Sequence, residues 1–226
     1  MIQSWEPLFL SFKLSLITTL ILFVIGVPLA YWLSITKIKM KPVIESILSL
    51  PLVLPPSVIG FYLLLAFSPN RPFGVFLKSV FDIRLVFSFG GLVVASVIYS
   101  ISFMIHPVQA GFQSLPPALK AASYTLGISP WKTFRKVLLP NIKPALLTGV
   151  VLTFAHTIGE FGVVLMIGGN IPGVTKVASV AIYDEVESMN YAAANFYALI
   201  LLGLSFCILL LLFLLKGKFI RKSLVI

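Results

Sequence analysis

Long apolar runs separated by short polar segments dominate the chain. A helix needs about 20 apolar residues to cross the hydrocarbon of a membrane. Runs of this length cover about residues 14–36, 46–67, 87–105, 145–167 and 196–215. The pattern therefore predicts an all-α membrane protein with five transmembrane helices, whose two termini face opposite sides of the membrane.

The polar interruption at residues 114–140 stands out between the third and fourth runs. Pro116 and Pro117 suit a first helical turn, and Gly127 suits the left-handed position just past a helix end. Ser129 and Pro130 then suit the N-cap and first position of a new helix. We expect two short helices joined at a glycine, outside the lipid and available to another protein.

Composition supports the membrane assignment. Hydrophobic residues make up 59% of the chain and charged residues 11%, and the mean hydropathy is +1.07, far from soluble usage. Cys207 is the single cysteine, so no disulfide is available. His106 and His156 are far apart in sequence without a metal-ligand spacing, so we expect no metal site.

The basic residues are divided unequally between the two sides of the predicted topology. Residues 37–41, 114–143 and 216–222 hold most of the 17 basic residues, and the other side holds Lys13, Arg71, Lys78, Arg84 and Lys176. The more basic side faces the cytoplasm. The N-terminus is therefore expected outside, and residues 114–140 and the C-terminus in the cytosol. Because topology accounts for most of the net charge of +10, lipid is the expected partner and nucleic acid is not.

The second span is interrupted by prolines. Its sequence from Pro51 to Ser57 is P-L-V-L-P-P-S. Proline removes a backbone donor, so Pro55 and Pro56 should kink or break the helix at membrane depth. Freed carbonyl groups are tolerated there inside a bundle or beside a wet cavity. A structural kink and a place on a translocation pathway both remain open for Pro55, Pro56 and Ser57.

Polar side chains recur in the third and fourth spans. Ser96 and Ser100 share one face of the third span, where close helix packing and a pathway role are both open. The fourth span carries Thr153, His156, Thr157 and Glu160 at positions i, i+3, i+4 and i+7, a single stripe. Ionisable residues inside a membrane are candidates for function. A tie from Glu160 to a neighbouring helix or a second subunit is the alternative, since an ionised Glu160 would repel an anion.

Several kinds of chemistry are missing from the sequence. It holds no G-x-x-x-x-G-K-[ST] motif, so the chain itself is not expected to bind ATP or another cofactor. It also holds no G-x-S-x-G elbow and no convincing Ser/His/Asp set. We therefore expect a transport protein rather than an enzyme.

The cytosolic loop resembles that of type I ABC importer permeases. Ala121, Ala122 and Gly127, followed by Leu139–Pro140, are similar to the E-A-A-x-x-x-G…L-P signature of that superfamily. Lys120 occupies the position that is usually acidic, which puts an ion pair there in doubt. The resemblance implies that this loop docks on an ATPase through Lys120, Ala121, Ala122 and Gly127, with Trp131 and Lys132 at the edge.

Other stretches resemble molybdate permeases, and the similarity covers about residues 8–215, expected to form one transmembrane domain. They are Leu50–Leu65, the G-E-F-G of Gly159–Gly162, the G-N-I-P-G-V-T of Gly169–Thr175, and Ala181–Tyr183. Sulfate permeases share a related G-E-[FY]-G. The resemblance implies a homodimer on two ATP-binding cassette subunits, which bind the ATP, and an extracytoplasmic molybdate-binding protein.

Two alternatives stay open at this point. The cargo could be tungstate or sulfate, since tungstate has nearly the size and charge of molybdate. The chain could instead be a channel or secondary carrier that works without ATP. Inverted repeats would favour a carrier, and none is evident in the sequence.

Overall fold

A computed structural model describes residues 4–223, and the side chains of residues 4–216. The side chains of the C-terminal cations Lys218, Arg221 and Lys222, predicted to be cytosolic, lie outside the described part.

The described residues are almost entirely helical. The helices are α1 (Glu6–Ile35), α2 (Lys41–Val53), α3 (Pro56–Phe67), α4 (Pro72–Phe81), α5 (Phe89–Gln113), α6 (Pro117–Thr125), α7 (Pro130–Thr133), a π-helical turn (Phe134–Leu138), α8 (Leu139–Asn141), α9 (Lys143–Ile158), α10 (Gly162–Gly168), α11 (Ala178–Glu187) and α12 (Tyr191–Ser223). Proline stands in the first turn of many of them, where its missing N–H costs nothing.

Helices α1, α5 and α9 form the centre of the bundle. Gly26 of α1 and Gly149 of α9 both lie against Met104 of α5, where an added Cβ would come within 3.0 and 3.2 Å of Met104 atoms. Small residues let helix backbones approach closely in membranes. Leu22 and Leu33 of α1 are fully buried beside the same stretch of α5.

Three single helices are long and apolar enough to span a membrane: α1, α5 and the Tyr191–Lys216 part of α12. The second predicted span is instead two helices, α2 and α3, whose axes bend by 113°. The fourth is also divided, into α9 and α10. A second bent pair joins residues 130–141 to α9 at 77°, and up to five spans result if each of the two bent pairs counts as one. This number agrees with the predicted all-α membrane fold.

The bundle has two ends that carry different segments. The C-terminal ends of α1 and α5 contact the π-helical turn, through Tyr31 and Phe112 on Phe134. We call this the α6 end. At the opposite α11 end, Ser11 near the start of α1 accepts a hydrogen bond from the N–H of Ala178, the first residue of α11. Residues 114–140 thus lie together at one end, as the topology requires.

Candidate functional site

Gly127 ends α6 with a defined hydrogen-bond pattern. Its φ is +72°, a conformation that favours glycine. The Gly127 N–H donates to the Tyr124 carbonyl at 2.9 Å, and the Ile128 N–H donates to the Ser123 carbonyl at 3.1 Å. This pair is the Schellman motif. The predicted helix–glycine–helix shape is therefore present in the structure.

The turn after Gly127 is fixed by side chains inside the loop. The Ser123 and Thr133 hydroxyl groups are buried and lie 2.6 Å apart, which joins α6 to α7. Ser129 precedes α7 with an extended backbone, but its hydroxyl makes no capping hydrogen bond. The predicted helix start at Ser129 and Pro130 is therefore present, without a hydrogen bond from the Ser129 side chain.

The loop presents an exposed, largely apolar surface, which we call the coupling surface. It consists of Ala121, Ala122, Tyr124, Leu126, Gly127, Trp131 and Lys132, all exposed. Leu126 is 77% exposed and Trp131 68%. A Cβ added to Gly127 would meet nothing within 4 Å. Leu126 and Tyr124 were missed by sequence reasoning, since their exposure depends on how α6 lies on the bundle.

Lys120 differs from its neighbours because it turns toward the bundle. Its Nζ lies 5.8 Å from the ring centroids of both Tyr31 and Tyr124, and the residue is half-buried. A cation over an aromatic face is a favourable arrangement. Lys120 therefore contacts α1 of its own chain through Tyr31.

A continuous set of aromatic rings lies behind the coupling surface. Trp131 stacks on Phe134 at 5.7 Å between centroids, and Phe134 lies 5.9 Å from Phe112 of α5 and 4.9 Å from Tyr31 of α1. Phe134 begins the π-helical turn, a feature common at functional sites. The rings join the coupling surface to the two central helices α1 and α5.

Two helix breaks lie against each other farther along the bundle. Residues 54–55 connect α2 to α3, and residues 159–161 connect α9 to α10. We call residues 54–57 and 159–162, which include the first residues of α3 and α10, the break pair. A Cβ on Gly162 would lie 2.7 Å from the Cβ of Pro56, and a Cβ on Gly60 would lie 2.8 Å from that of Met166. Helices α3 and α10 therefore pack nearly backbone to backbone.

Hydroxyl groups and His156 form a hydrogen-bonded cluster between α5 and α9. The Ser100 Oγ lies 3.1 Å from His156 Nδ1 and 2.9 Å from the Thr157 hydroxyl. The Thr157 hydroxyl in turn donates to the Thr153 carbonyl at 2.8 Å. Ser96 donates to Glu160 Oε2 at 3.3 Å. The structure thus brings the predicted polar residues of the third and fourth spans together.

Glu160 does not belong to a continuous helical stripe, contrary to the expected spacing. Helix α9 ends at Ile158, and Glu160 lies in the break before α10. Gly159 is the C-cap of α9 and Gly162 is the first residue of α10, and the missing Cβ of Gly162 allows Pro56 to approach. The Glu160 backbone carbonyl accepts a hydrogen bond from Ser179, which sequence reasoning missed.

Burial divides the candidate pathway residues into two groups. Ser96, Ser100, Thr153, Thr157 and Glu160 are all buried within the chain, at 6% exposure or less. Pro55, Pro56 and Ser57 are exposed, and His156 is half-buried. The α2–α3 break is therefore exposed on the surface of this chain, whereas the buried hydroxyl groups of Ser96 and Ser100 bond α5 to the α9–α10 region.

The His156 ring is enclosed by aromatic side chains that the sequence pattern did not single out. It stacks on Phe103 at 3.9 Å between centroids and lies 5.0 Å from Tyr99. Phe103, four residues before Pro107 on α5, carries no local signal of this contact. The contact between Phe103 and His156 could be predicted only if the packing of α5 against α9 were already known.

A second set of polar contacts, also missed, joins α2 to α5. Ser49 lies 3.0 Å from His106 Nε2, Gln109 donates to Glu45 Oε1 at 2.6 Å, and the Ser102 hydroxyl donates to the Leu48 carbonyl. Helix α2 is otherwise largely exposed. These contacts hold α2, the half of the broken span nearest the α6 end, against α5.

The acidic residues of α11 are tied to their surroundings. Asp184 pairs with Lys176, and Glu185 accepts a hydrogen bond from Asn190 at 2.7 Å. Tyr183 donates to Glu187, and this hydrogen bond raises the pKa of the Tyr183 phenol. The residues form a local network at the α11 end.

Glu160→Gln is expected to reduce the amount of assembled transporter more than it changes cargo preference. The Glu160 Oε1 is buried without a hydrogen-bond partner among the described residues. An amide carries two N–H donors where a carboxyl group carries at most one, so the variant has at least one more buried donor without a partner. This costs about 1–3 kcal/mol and lowers the melting temperature by roughly 3–10 °C. Thermal melts and size-exclusion yields measure the first effect, and uptake competition measures the second. A changed cargo preference at normal yield contradicts the structural role.

Comparison with known proteins identifies the family. The family model described as the inner membrane component of binding-protein-dependent transport systems matches residues 22–221. The chain belongs to this family. Binding-protein-dependent permeases are multi-pass components of the inner membrane, so the predicted transport class and location are confirmed, and an enzyme is not indicated.

The names of curated relatives refer to the transport of molybdenum or sulfate. The molybdenum transport system permease protein ModB of Azotobacter vinelandii is 46% identical over 84% of each chain. The putative molybdenum transport system permease protein YvgM of Bacillus subtilis is 33% identical over 92% of this chain and 91% of its own. The sulfate transport system permease protein CysT of Salmonella typhimurium is 35% identical over 88% of this chain and 72% of its own.

Solved structures confirm the fold. The inward-facing MetNI methionine ABC transporter matches with a TM-score of 0.73 at 17% identity, over 96% of this chain and 95% of that chain. A bacterial ABC transporter for import of alginate matches with a TM-score of 0.78 at 17% identity, over 96% of this chain and 80% of that chain. The predicted type I importer permease fold is therefore confirmed.

Proposed function

We propose that this chain is the membrane-spanning subunit of an ATP-driven importer that moves molybdate across the cytoplasmic membrane. The observation that carries the proposal is the 46% identity to a molybdenum permease over 84% of both chains. The proline-rich Leu50–Leu65 and the Gly159–Gly162 segment, which resemble molybdate permeases, form the break pair. The resembling motifs thus lie together at one place in the fold.

Sulfate is the second candidate cargo, because a sulfate permease is 35% identical to this chain. The support is smaller, since that relative is less similar and this chain covers 72% of its length. Tungstate is nearly equal to molybdate in size and charge, so a site built for one should accept the other.

The proposed transporter contains two copies of this chain, two ATP-binding cassette subunits and an extracytoplasmic binding protein. The coupling surface would dock on the ATPase, because it is apolar, exposed and free of its own chain's side chains at Gly127. The distribution of Lys and Arg supports a cytosolic α6 end and an external N-terminus.

The ion would pass the exposed side of the break pair. Moving a dianion through hydrocarbon is prohibitive, so a polar surface must replace its hydration shell. Helix α3 begins at Pro56, which has no N–H, so Ser57 supplies the first backbone donor together with its exposed hydroxyl. The positive end of a helix dipole favours an anion there.

The aromatic rings behind the coupling surface would carry motion from the ATPase to the bundle. Closure of the ATPase dimer would displace α6 and α7, and Phe134 would pass the displacement to Phe112 and Tyr31. Helix α5 also carries Ser96 and Ser100, which are bonded to the α9–α10 region. Rigid-body movement of packed helices is an established route for such switching.

Competitive uptake tests the proposed cargo. The assembled complex in vesicles, supplied with ATP and binding protein, should take up molybdate, and unlabelled tungstate should compete nearly as well as unlabelled molybdate. Sulfate at the same concentration should compete poorly. Equal competition by sulfate would assign the transporter to the sulfate class instead.

A further inference from the structure

A small cavity with two cations lies beneath α4 at the α11 end of the bundle. Its volume is about 150 Å³, and Lys78 and Arg84 are the charged residues among those that line it. The rest of the lining is mainly apolar, with Phe67, Ile83 and Leu85 among its members. The cavity therefore combines positive charge with an apolar wall.

Helix α4 lies at the level where the neighbouring spans end. Its ten residues extend only about 15 Å, too short to cross a membrane. It follows directly on α3, and α5 begins eight residues after it. Gly74 of α4 lies against the backbone of Ser68, which leaves no room for a Cβ. The helix is thus held close to the outer end of α3, as a helix lying in the membrane interface would be.

The exposed part of α4 is aromatic and apolar. Phe73, Phe76 and Val80, at positions i, i+3 and i+7, are 49–57% exposed on one face. The closest packing in this segment is made by Gly74, against the backbone of Ser68, and Phe73 also contacts Phe67 from the edge of the exposed face. An apolar helix face at this level fits the headgroup and acyl-chain boundary of a bilayer.

The cations around α4 lack acidic partners. Among the described side chains, Arg71, Lys78 and Arg84 have no carboxylate oxygen within 4.0 Å. Lys176, on the same end of the bundle, is by contrast paired with Asp184. A group of exposed cations beside an apolar helix face is complementary to an anionic amphiphile.

We propose that α4 and the cavity beneath it bind the phosphate group of an acidic phospholipid. Lys78 and Arg84 contact the phosphate, since lysine and arginine are the side chains that bind such groups. The acyl chains lie along Phe73, Phe76 and Val80. A free oxyanion would bind the two cations but leave the apolar face uncovered. A phospholipid matches both features, because its phosphate binds the cations and its acyl chains cover the apolar face.

Native mass spectrometry of the full-length chain in mild detergent tests this site. The protein is incubated with equal amounts of phosphatidylglycerol and phosphatidylcholine, and the retained lipids are counted. A cation near an anionic lipid contributes about fivefold to binding. The Lys78→Gln/Arg84→Gln variant should therefore lose about 25-fold in preference for phosphatidylglycerol, whereas the charge-conserving Lys78→Arg/Arg84→Lys variant should retain it.

Three outcomes would overturn the proposal. Equal retention of the two lipids by the unaltered protein is the first, and unchanged preference in the Gln variant is the second. The third is displacement of phosphatidylglycerol by millimolar inorganic phosphate or molybdate, which would assign the cavity to a free oxyanion. The same spectra report the oligomer, so dissociation of dimers by the Gln variant without lipid loss would assign α4 to a contact between copies.

Discussion

Ala122→Trp and Gly127→Trp are expected to abolish coupling to the ATPase while leaving the chain inserted in the membrane. Both residues are exposed on the coupling surface. An indole placed in a contact built from small residues forces the two proteins apart, and overpacking of this kind weakens association about tenfold or more. ATPase subunits recovered with a tagged chain, and ATP-dependent uptake, measure the effect.

The two substitutions differ in their effect on the loop itself. Gly127 has φ +72°, so any larger residue also strains the backbone by about 1 kcal/mol. Ala122 lies within α6, and its replacement adds bulk without that strain. A loss of ATPase shared by both variants therefore reports docking. Loss in Gly127→Trp alone would indicate only that the loop conformation was disturbed.

Ala192→Trp is a matched control for the ATPase measurement. Ala192 is an exposed helical alanine at the start of α12, at the opposite end of the bundle. The same change in size there should leave ATPase recovery normal. Normal recovery and uptake in the Ala122→Trp variant would contradict the docking role of the coupling surface.

Ser57→Asp is expected to block anion transport, and Ser57→Asn to permit it. The two residues are nearly equal in size and differ in charge. A unit negative charge about 5 Å from another costs about 3 kcal/mol at an effective dielectric constant of 20, and a dianion doubles this cost. We therefore expect uptake of molybdate to fall about 100-fold or more in the Asp variant.

Uptake rates at saturating binding protein measure this difference, with ATPase recovery as a check that both variants assemble. Because Ser57 is exposed at the start of α3, neither change fills a packed core. Similar uptake by the Asp and Asn variants would place the ion's path away from the break pair.

Local rules were sufficient where a feature depends on neighbouring residues. Gly127 and Pro130 define a helix end and a helix start within four positions, and the structure has both. Pro55 and Pro56 likewise mark the break between α2 and α3. In these segments the backbone conformation follows from residue type, so the sequence pattern predicts it directly.

Contacts between distant segments could not be predicted in this way. The pattern placed Glu160 on a continuous helix, but Gly162 packs against Pro56, about 100 residues earlier, and the helix is divided there. Lys120 lies over Tyr31 because the chain brings α6 next to the C-terminal end of α1, about 90 residues earlier. The burial of Ser96 and Ser100, which separates them from the exposed Ser57, depends on the packing of α5 against α9.

The dependence of molybdate uptake on ATP tests the proposed importer most directly. Vesicles containing this chain, its ATPase and the binding protein should accumulate molybdate when ATP is hydrolysed, and neither ADP nor an ATPase-inactive partner should support uptake. A channel or secondary carrier would give uptake without the ATPase, driven by the molybdate or ion gradient. Accumulation that continues without ATP hydrolysis would contradict the proposed mechanism.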